Sequence, residues 1–157
     1  MEKFLQKYRF RAAEPYLVGD VLDFGGNEGE LKQLVKGRYL AVNYDHSLMD
    51  GTRWNTIAIL AVLEHMHTAD AFVIFRKFKR ILSGDGNIVL TTPSKIAKPV
   101  LEFMAMLGIV GRDSIKEHKH YWNKREIYVL AERTGFVVKK YKKIQLGFNQ
   151  LVVFEHQ

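Results

Sequence analysis

The order of apolar and polar positions along the chain changes rhythm several times, and each change marks an element. Residues 2–13 place Phe4, Leu5, Tyr8 and Ala12 at helical spacing, and Pro15 closes that run. Val18–Phe24 is an apolar strand ending in Asp23-Phe24-Gly25-Gly26; a helix over Glu28–Val35 follows, and Gly37 stops it. Tyr39–Tyr44 reads as a second buried strand. Trp54–Val62 reads as a third, apolar on both faces as strands are when helices cover both sides of a parallel sheet. Thr68–Leu82 has the period of an amphipathic helix, acidic near its start at Asp70 and basic towards its end, as the helix dipole favours. Ser83-Gly84-Asp85-Gly86 then predicts a turn and Asn87–Thr92 a strand. Pro99 opens an apolar helical stretch to Val110. Asn123, with Glu126 three residues on, predicts a capping box for a helix reaching Thr134. Phe136–Leu146 and Asn149–Glu155 predict two strands joined by a short turn around Gly147.

Strand–helix alternation ending in a hairpin predicts an α/β sandwich with a mostly parallel sheet. At 157 residues and 47% hydrophobic content, the chain has the length for one core and no more, so residues 1–157 are expected to form a single domain. The absence of cysteine excludes disulfides and thiolate metal sites and fits a cytoplasmic protein. No apolar run reaches membrane-spanning length, and the first sixteen residues mix charge with aromatics in a way no signal peptide does.

Charge is distributed unevenly. Residues 1–60 carry eight basic and eight acidic side chains, whereas residues 61–157 carry sixteen and nine, so the whole +7 falls in the second part. Clusters at Arg76, Lys77, Lys79 and Arg80 and at Lys139, Lys140, Lys142 and Lys143 suit phosphate, carboxylate, nucleic acid or an anionic membrane surface, or simply a solvated face.

The candidate chemistry lies in Val21-Leu22-Asp23-Phe24-Gly25-Gly26-Asn27-Glu28-Gly29. A glycine-rich turn between a buried strand and a helix lets a ligand approach the backbone and meet helix N–H groups. No Gly-Lys-Ser/Thr follows, which excludes a P-loop, and the spacing is not that of a dinucleotide fingerprint.

This segment resembles the first motif of class I S-adenosylmethionine-dependent methyltransferases, in which an acid precedes a glycine-rich loop. Three more segments resemble the same family in the same order: Trp54-Asn55-Thr56-Ile57 with Val62-Leu63-Glu64-His65, then Arg80 to Ser94, then Glu132-Arg133-Thr134-Gly135-Phe136. The likeness covers residues 18–155. It implies a Rossmann-like three-layer sandwich of about six strands with a C-terminal antiparallel hairpin, S-adenosylmethionine as cofactor, and methyl transfer to an O, N or C atom of a small-molecule or polymer-linked acceptor. It also implies that Asp23, Gly25, Gly26, Asn27 and Gly29 hold the methionine part and that Asn43, Tyr44 and Asp45 hold the ribose, with Ala61 at the wall of the pocket.

The chain departs from the family at Asn27, Asn43 and Asn55, which stand where glycine or acids are usual. The gap from Asp45 to Trp54 is too short for the family's third strand, so that strand is expected to be missing. By position, residues 93–122 would form a lid or acceptor wall, with His65, His118, His120 and Tyr121 as the pool of acceptor-contacting or catalytic side chains. Lys95, Lys98, Lys116 and Lys119 flank those histidines, which points to an anionic acceptor. The apolar stretch after Pro99 also suits a homodimer interface or a membrane surface. His65-x-His67 and His118-x-His120 have metal-ligand character, but without cysteine or a paired-histidine helix motif no metal is expected. Two rival readings are a non-catalytic methyltransferase-like binding domain and a basic nucleic-acid domain.

Overall fold

The computed structural model describes residues 2–26, 29–43, 51–106 and 119–157. Six strands form one sheet: β1 (Val21–Phe24), β2 (Tyr39–Val42), β3 (Trp54–Leu60), β4 (Leu82–Pro93), β5 (Phe136–Ile144) and β6 (Asn149–His156). Their order across the sheet is β2-β1-β3-β4-β6-β5. The first four run parallel; β6 is antiparallel to both β4 and β5. The four helices are α1 (Glu2–Ala13), α2 (Thr68–Ile81), α3 (Ala97–Met106) and α4 (Lys124–Thr134).

Side chains alternate across the sheet and build two cores. Leu22, Ile57, Ile59, Ile88, Leu90, Val152 and Phe154 face α2 and α4, where Phe75 and Phe78 meet edge to face at 5.6 Å. Val21, Ala58, Val89, Leu151 and Val153 face the other way, under Phe10 and Ala13 of α1. Three layers result, as expected, and β2 is at the edge of the sheet among the described residues.

Four local expectations are corrected. The first strand begins at Val21 rather than Val18, because Gly19 turns left-handed (φ +61°) and the backbone of Val18 bonds the Thr56 hydroxyl instead of a ladder. The segment after the glycine loop is a 3-10 helix, Glu30–Leu34; with only seven residues between Gly29 and the turn back at Gly37 it closes i+3 bonds instead of an α-helical ladder. The turn at Ser83–Gly86 lies inside β4: pairing runs Trp54 to Leu82, then resumes at Thr56 to Asn87, so the intervening residues form a bulge. Finally, α1 does not bury Phe4 and Tyr8, which are 72% and 46% exposed; its inner side carries Gln6, Arg9, Phe10 and Ala13. The capping box was legible as it stands: the Asn123 side chain accepts from the Glu126 N–H at 2.9 Å while the Glu126 carboxylate accepts from the Asn123 N–H at 2.7 Å.

No helix among the described residues is long and apolar enough to cross a membrane. The apolar stretch after Pro99 is helical to Met106; residues 107–118 lie outside the described residues.

Candidate functional site

Parallel strands end together, so the loops that follow β1 and β3 open on the same side of the sheet. A cleft of about 370 Å³ lies there, lined by Asp23, Gly25 and Gly26 after β1, Leu60 and Ala61 after β3, Glu30 and Leu31, and Gln6, Arg9 and Phe10 of α1. That volume is at the small end of the range for ligand pockets.

The backbone of this wall is shaped by conformations that need small side chains. Gly25 (φ +86°) donates to the Val42 carbonyl at 2.7 Å, and Gly29 (φ +70°) donates to Gly26 at 2.7 Å. A Cβ on Gly25 would overlap the Val62 side chain, and one on Gly26 would overlap the Asp23 carboxylate. Ala61, a left-handed non-glycine residue at φ 59°, donates to the Thr91 carbonyl at 3.0 Å. Such backbone is retained only where its surroundings force it.

Asp23 is the buried acid of the cleft, 5% exposed. Burial lifts its pKa from the ordinary 3.8 to about 6, and the Tyr39 hydroxyl, donating at 2.6 Å, partly offsets that rise. Burial and the neighbouring Asp23 push the Tyr39 phenol above its usual range. The Gln6 amide donates to the Glu30 carboxylate and so bridges α1 to the residue that follows Gly29.

The loop after β3 is built differently. Glu64, 2% exposed, accepts from the Thr92 hydroxyl at 3.1 Å, and burial raises its pKa against the opposing influence of its hydrogen bonds, His65 and Arg9. Its backbone carbonyl accepts the N–H groups of Lys119 at 2.8 Å and His120 at 3.2 Å, and the Leu63 carbonyl accepts the Trp122 indole at 3.3 Å. Gln150 adds a donor to the Trp122 carbonyl at 2.8 Å.

The structure therefore brings Asp23, Gly25, Gly26 and Ala61 together at one cleft, with Gly29 beside them over the Tyr39 ring. Asn43 sits exposed in the bend after β2. His65 is half-buried in the short turn after β3. His120 lies 3.3 Å from the Glu126 carboxylate and packs edge-on against Trp122. Tyr121 is half-buried, its phenol pKa raised by burial and by the charges of Glu102 and Glu64. Asn27, Tyr44, Asp45 and His118 lie outside the described residues. Asn55 is at the other end of β3, where its side chain accepts from the Asp20 N–H at 3.0 Å, so it holds the start of β1. Sequence reasoning missed Tyr39, Gln6, Arg9 and Glu30; only the i, i+3, i+4 placement of Gln6, Arg9 and Phe10 on one helical face was there to be seen. No group of three or more metal-ligating side chains occurs among the described residues.

A family profile described as a methyltransferase domain matches residues 1–141. Among curated proteins, none matches the sequence. Solved structures with the same fold include the pyocyanin biosynthetic protein PhzM (15% identity, TM-score 0.70, 97% of this chain and 55% of that one). The mitomycin 7-O-methyltransferase MmcR is alike at 16% identity and TM-score 0.72, over 98% and 54%. The magnesium protoporphyrin IX methyltransferase of Synechocystis PCC 6803, solved with bound SAH, is alike at 16% identity and TM-score 0.60, over 99% and 83%. The chain spans about half the length of the first two. At these identities the likeness speaks for the fold.

Proposed function

The chain belongs to a methyltransferase domain family, and from that premise we propose that it transfers a methyl group from S-adenosylmethionine to an acceptor. The observation that carries the reading is the cleft itself: a buried carboxylate, two glycines whose Cβ positions are already filled, and a cation on the facing helix. An α-amino acid presents one ammonium and one carboxylate, and Asp23 with Arg9 offers the complementary pair of charges. S-adenosylmethionine, when bound, supplies a sulfonium-activated methyl group.

What remains for the protein is to bind, orient and exclude water. Asp23 accepts hydrogen bonds from the ammonium end, and Tyr39 orients that carboxylate. Gly25, Gly26, Asn27 and Gly29 give the backbone approach, Asn43, Tyr44 and Asp45 the ribose contacts, and Ala61 the wall after β3. His65, His118, His120 and Tyr121 serve the acceptor, which segment 93–122 covers; for a protonated nucleophile one of them takes the proton. We assign an anionic acceptor to this side, since Lys95, Lys98 and Lys119 are all exposed there. Steering of that kind weakens as salt screens the field.

Titration calorimetry with S-adenosylhomocysteine, followed by methyl incorporation from labelled S-adenosylmethionine into candidate acceptors, tests the reading. Binding in the micromolar range with turnover supports it. Saturable binding with no transfer to any acceptor makes the chain a non-catalytic relative, and no binding at all refutes the assignment of the cleft.

A further inference from the structure

The sum of charges along the first sixty residues is zero, yet the surface of α1 is not neutral. Between Lys3 and Ala13 the chain holds four cations and no acid. Arg9 turns inward to the cleft, while Lys3, Lys7 and Arg11 are exposed in one row at four-residue spacing. Phe4 and Tyr8 form the adjacent row, 72% and 46% exposed. The helix thus presents cations and aromatics side by side to solvent.

A second element reinforces this face. The turn between β5 and β6 holds three consecutive residues in the left-handed region, Gln145 (φ 52°), Leu146 (φ 57°) and Gly147 (φ 90°). L side chains rarely adopt that conformation, and two of the three are not glycine. The Gln145 amide fixes the turn to α1 by donating to the Leu5 carbonyl at 2.9 Å, and accepts from Asn149 at 3.0 Å. The outcome is a leucine, Leu146, that is 97% exposed beside the first turns of α1.

On β5, Lys140 and Lys142 alternate with Ile144, whose side chain belongs to the core beneath α1, so both lysines lie on the α1 side of the sheet. Lys140 Nζ stands 5.7 Å from the Tyr16 ring centroid, just past the end of the helix. Lys139 is not part of this set, being paired with Glu155 at 2.5 Å. Two acids flank this run, Glu2 at the start of the helix and Glu14, exposed, just past its end.

We propose that this face, α1 with the Gln145–Gly147 turn and the lysines of β5, docks on an anionic lipid bilayer. Interfacial helices combine basic residues with aromatic or aliphatic ones in this way, the cations meeting phosphate headgroups and the apolar groups entering the acyl boundary. Two other occupants fit less well. Nucleic acid would use the cations and stack on Phe4 and Tyr8, but gains nothing from an exposed leucine. A second copy related by a two-fold axis would set Lys3, Lys7, Arg11, Lys140 and Lys142 against the same five charges. Because Gln6, Arg9 and Phe10 line the cleft from the inner side of the same helix, docking leaves the cleft one helix diameter, ~10 Å, from the membrane surface. The inference stands on the surface alone and is independent of methyl transfer.

Flotation of the full chain with phosphatidylcholine vesicles, with and without about a third phosphatidylserine, tests it. The chain should float with the anionic vesicles at about 50 mM salt and be released as salt rises several-fold. Replacing Lys3, Lys7 and Arg11 together by Gln should lower partitioning at least tenfold. Leu146→Asn should lower it about tenfold, the scale for one large apolar side chain leaving water, and asparagine tolerates the left-handed backbone, so the fold is kept. Phe4→Ser should act in the same direction, with unchanged far-ultraviolet dichroism. The proposal is overturned by absence from anionic vesicles at low salt, or by Leu146→Asn and Phe4→Ser behaving as the parent. Displacement from vesicles by an oligonucleotide at equal phosphate would assign the face to nucleic acid instead. A dimer lost on Leu146→Asn would assign it to a second copy.

Discussion

The loops after β1 and β3 hold equivalent places in the sheet, yet they are built for opposite purposes. After β1 the backbone is bare: two glycines crowd against Val62 and Asp23, and the buried Asp23 carboxylate lines the cleft. After β3 the backbone is occupied: the carbonyls of Leu63 and Glu64 accept from Trp122, Lys119 and His120, and fasten the chain where it returns to α4. The first loop leaves room for a ligand to contact the main chain. The second spends the same capacity on the protein's own segment. A strand end in this fold is therefore a choice between receiving and tying, decided by whether the next residues are glycines or bulky apolar ones.

Four changes separate these roles, from the largest effect to the smallest. Trp122→Ala should break the tie: loss of a fully buried indole and its bond to Leu63 lowers unfolding free energy by about 3–5 kcal/mol, read by denaturant unfolding, while S-adenosylhomocysteine affinity of the folded fraction holds. Gly25→Val should do the reverse. Calorimetry should show S-adenosylhomocysteine binding weakened by about a hundredfold or more, since the added side chain occupies space Val62 already fills and strains a left-handed position by about 1–3 kcal/mol.

The third concerns protons. Asp23 has a folded pKa of about 6, raised from 3.8 by burial. A raised carboxyl pKa means that its contribution to stability is fully present below about pH 4 and is lost as pH climbs through about 6. Binding of an ammonium runs the other way, because it requires the ionised acid. S-adenosylhomocysteine affinity should therefore rise about tenfold between pH 5 and pH 7; a flat profile by calorimetry would remove Asp23 from the ammonium site. Tyr39→Phe is the smallest change: it deletes the donor that favours the ionised form, so the midpoint of that profile should move upward by roughly half a unit to a unit.

What the sequence disclosed follows from the range of each interaction. The Asn123 capping box, the Gly25–Gly29 loop and the hairpin at Gly147 are settled within a few residues of themselves, and all could be read. The Asp23–Tyr39 pair joins residues sixteen apart, and the Glu64 carbonyl meets Lys119 across a much longer stretch; neither leaves a local pattern. Helix α1 shows the intermediate case. Its periodicity announced a helix, but the choice of inner face went to Gln6, Arg9 and Phe10 because that side meets the cleft and the Glu30 carboxylate as well as the apolar core under Ala13. Asn55 shows that a residue type unusual for a family can serve the frame: its amide secures Asp20, at the end of the sheet away from the cleft.

The bulge in β4 has a use in protein engineering. Ser83–Gly86 contribute nothing to the pairing between Trp54–Leu82 and Thr56–Asn87, Gly84 and Asp85 are exposed, and a side chain built on Gly84 would meet no atom within 4 Å. Gly86 is the opposite, already close against the Asn55 carbonyl and Leu82. A peptide tag or a fluorophore-bearing loop grafted between Gly84 and Asp85 would extend a stretch that the ladder already bypasses, at the far end of the strands from the glycine loop. Such a graft would report on the domain without touching either of its two working loops.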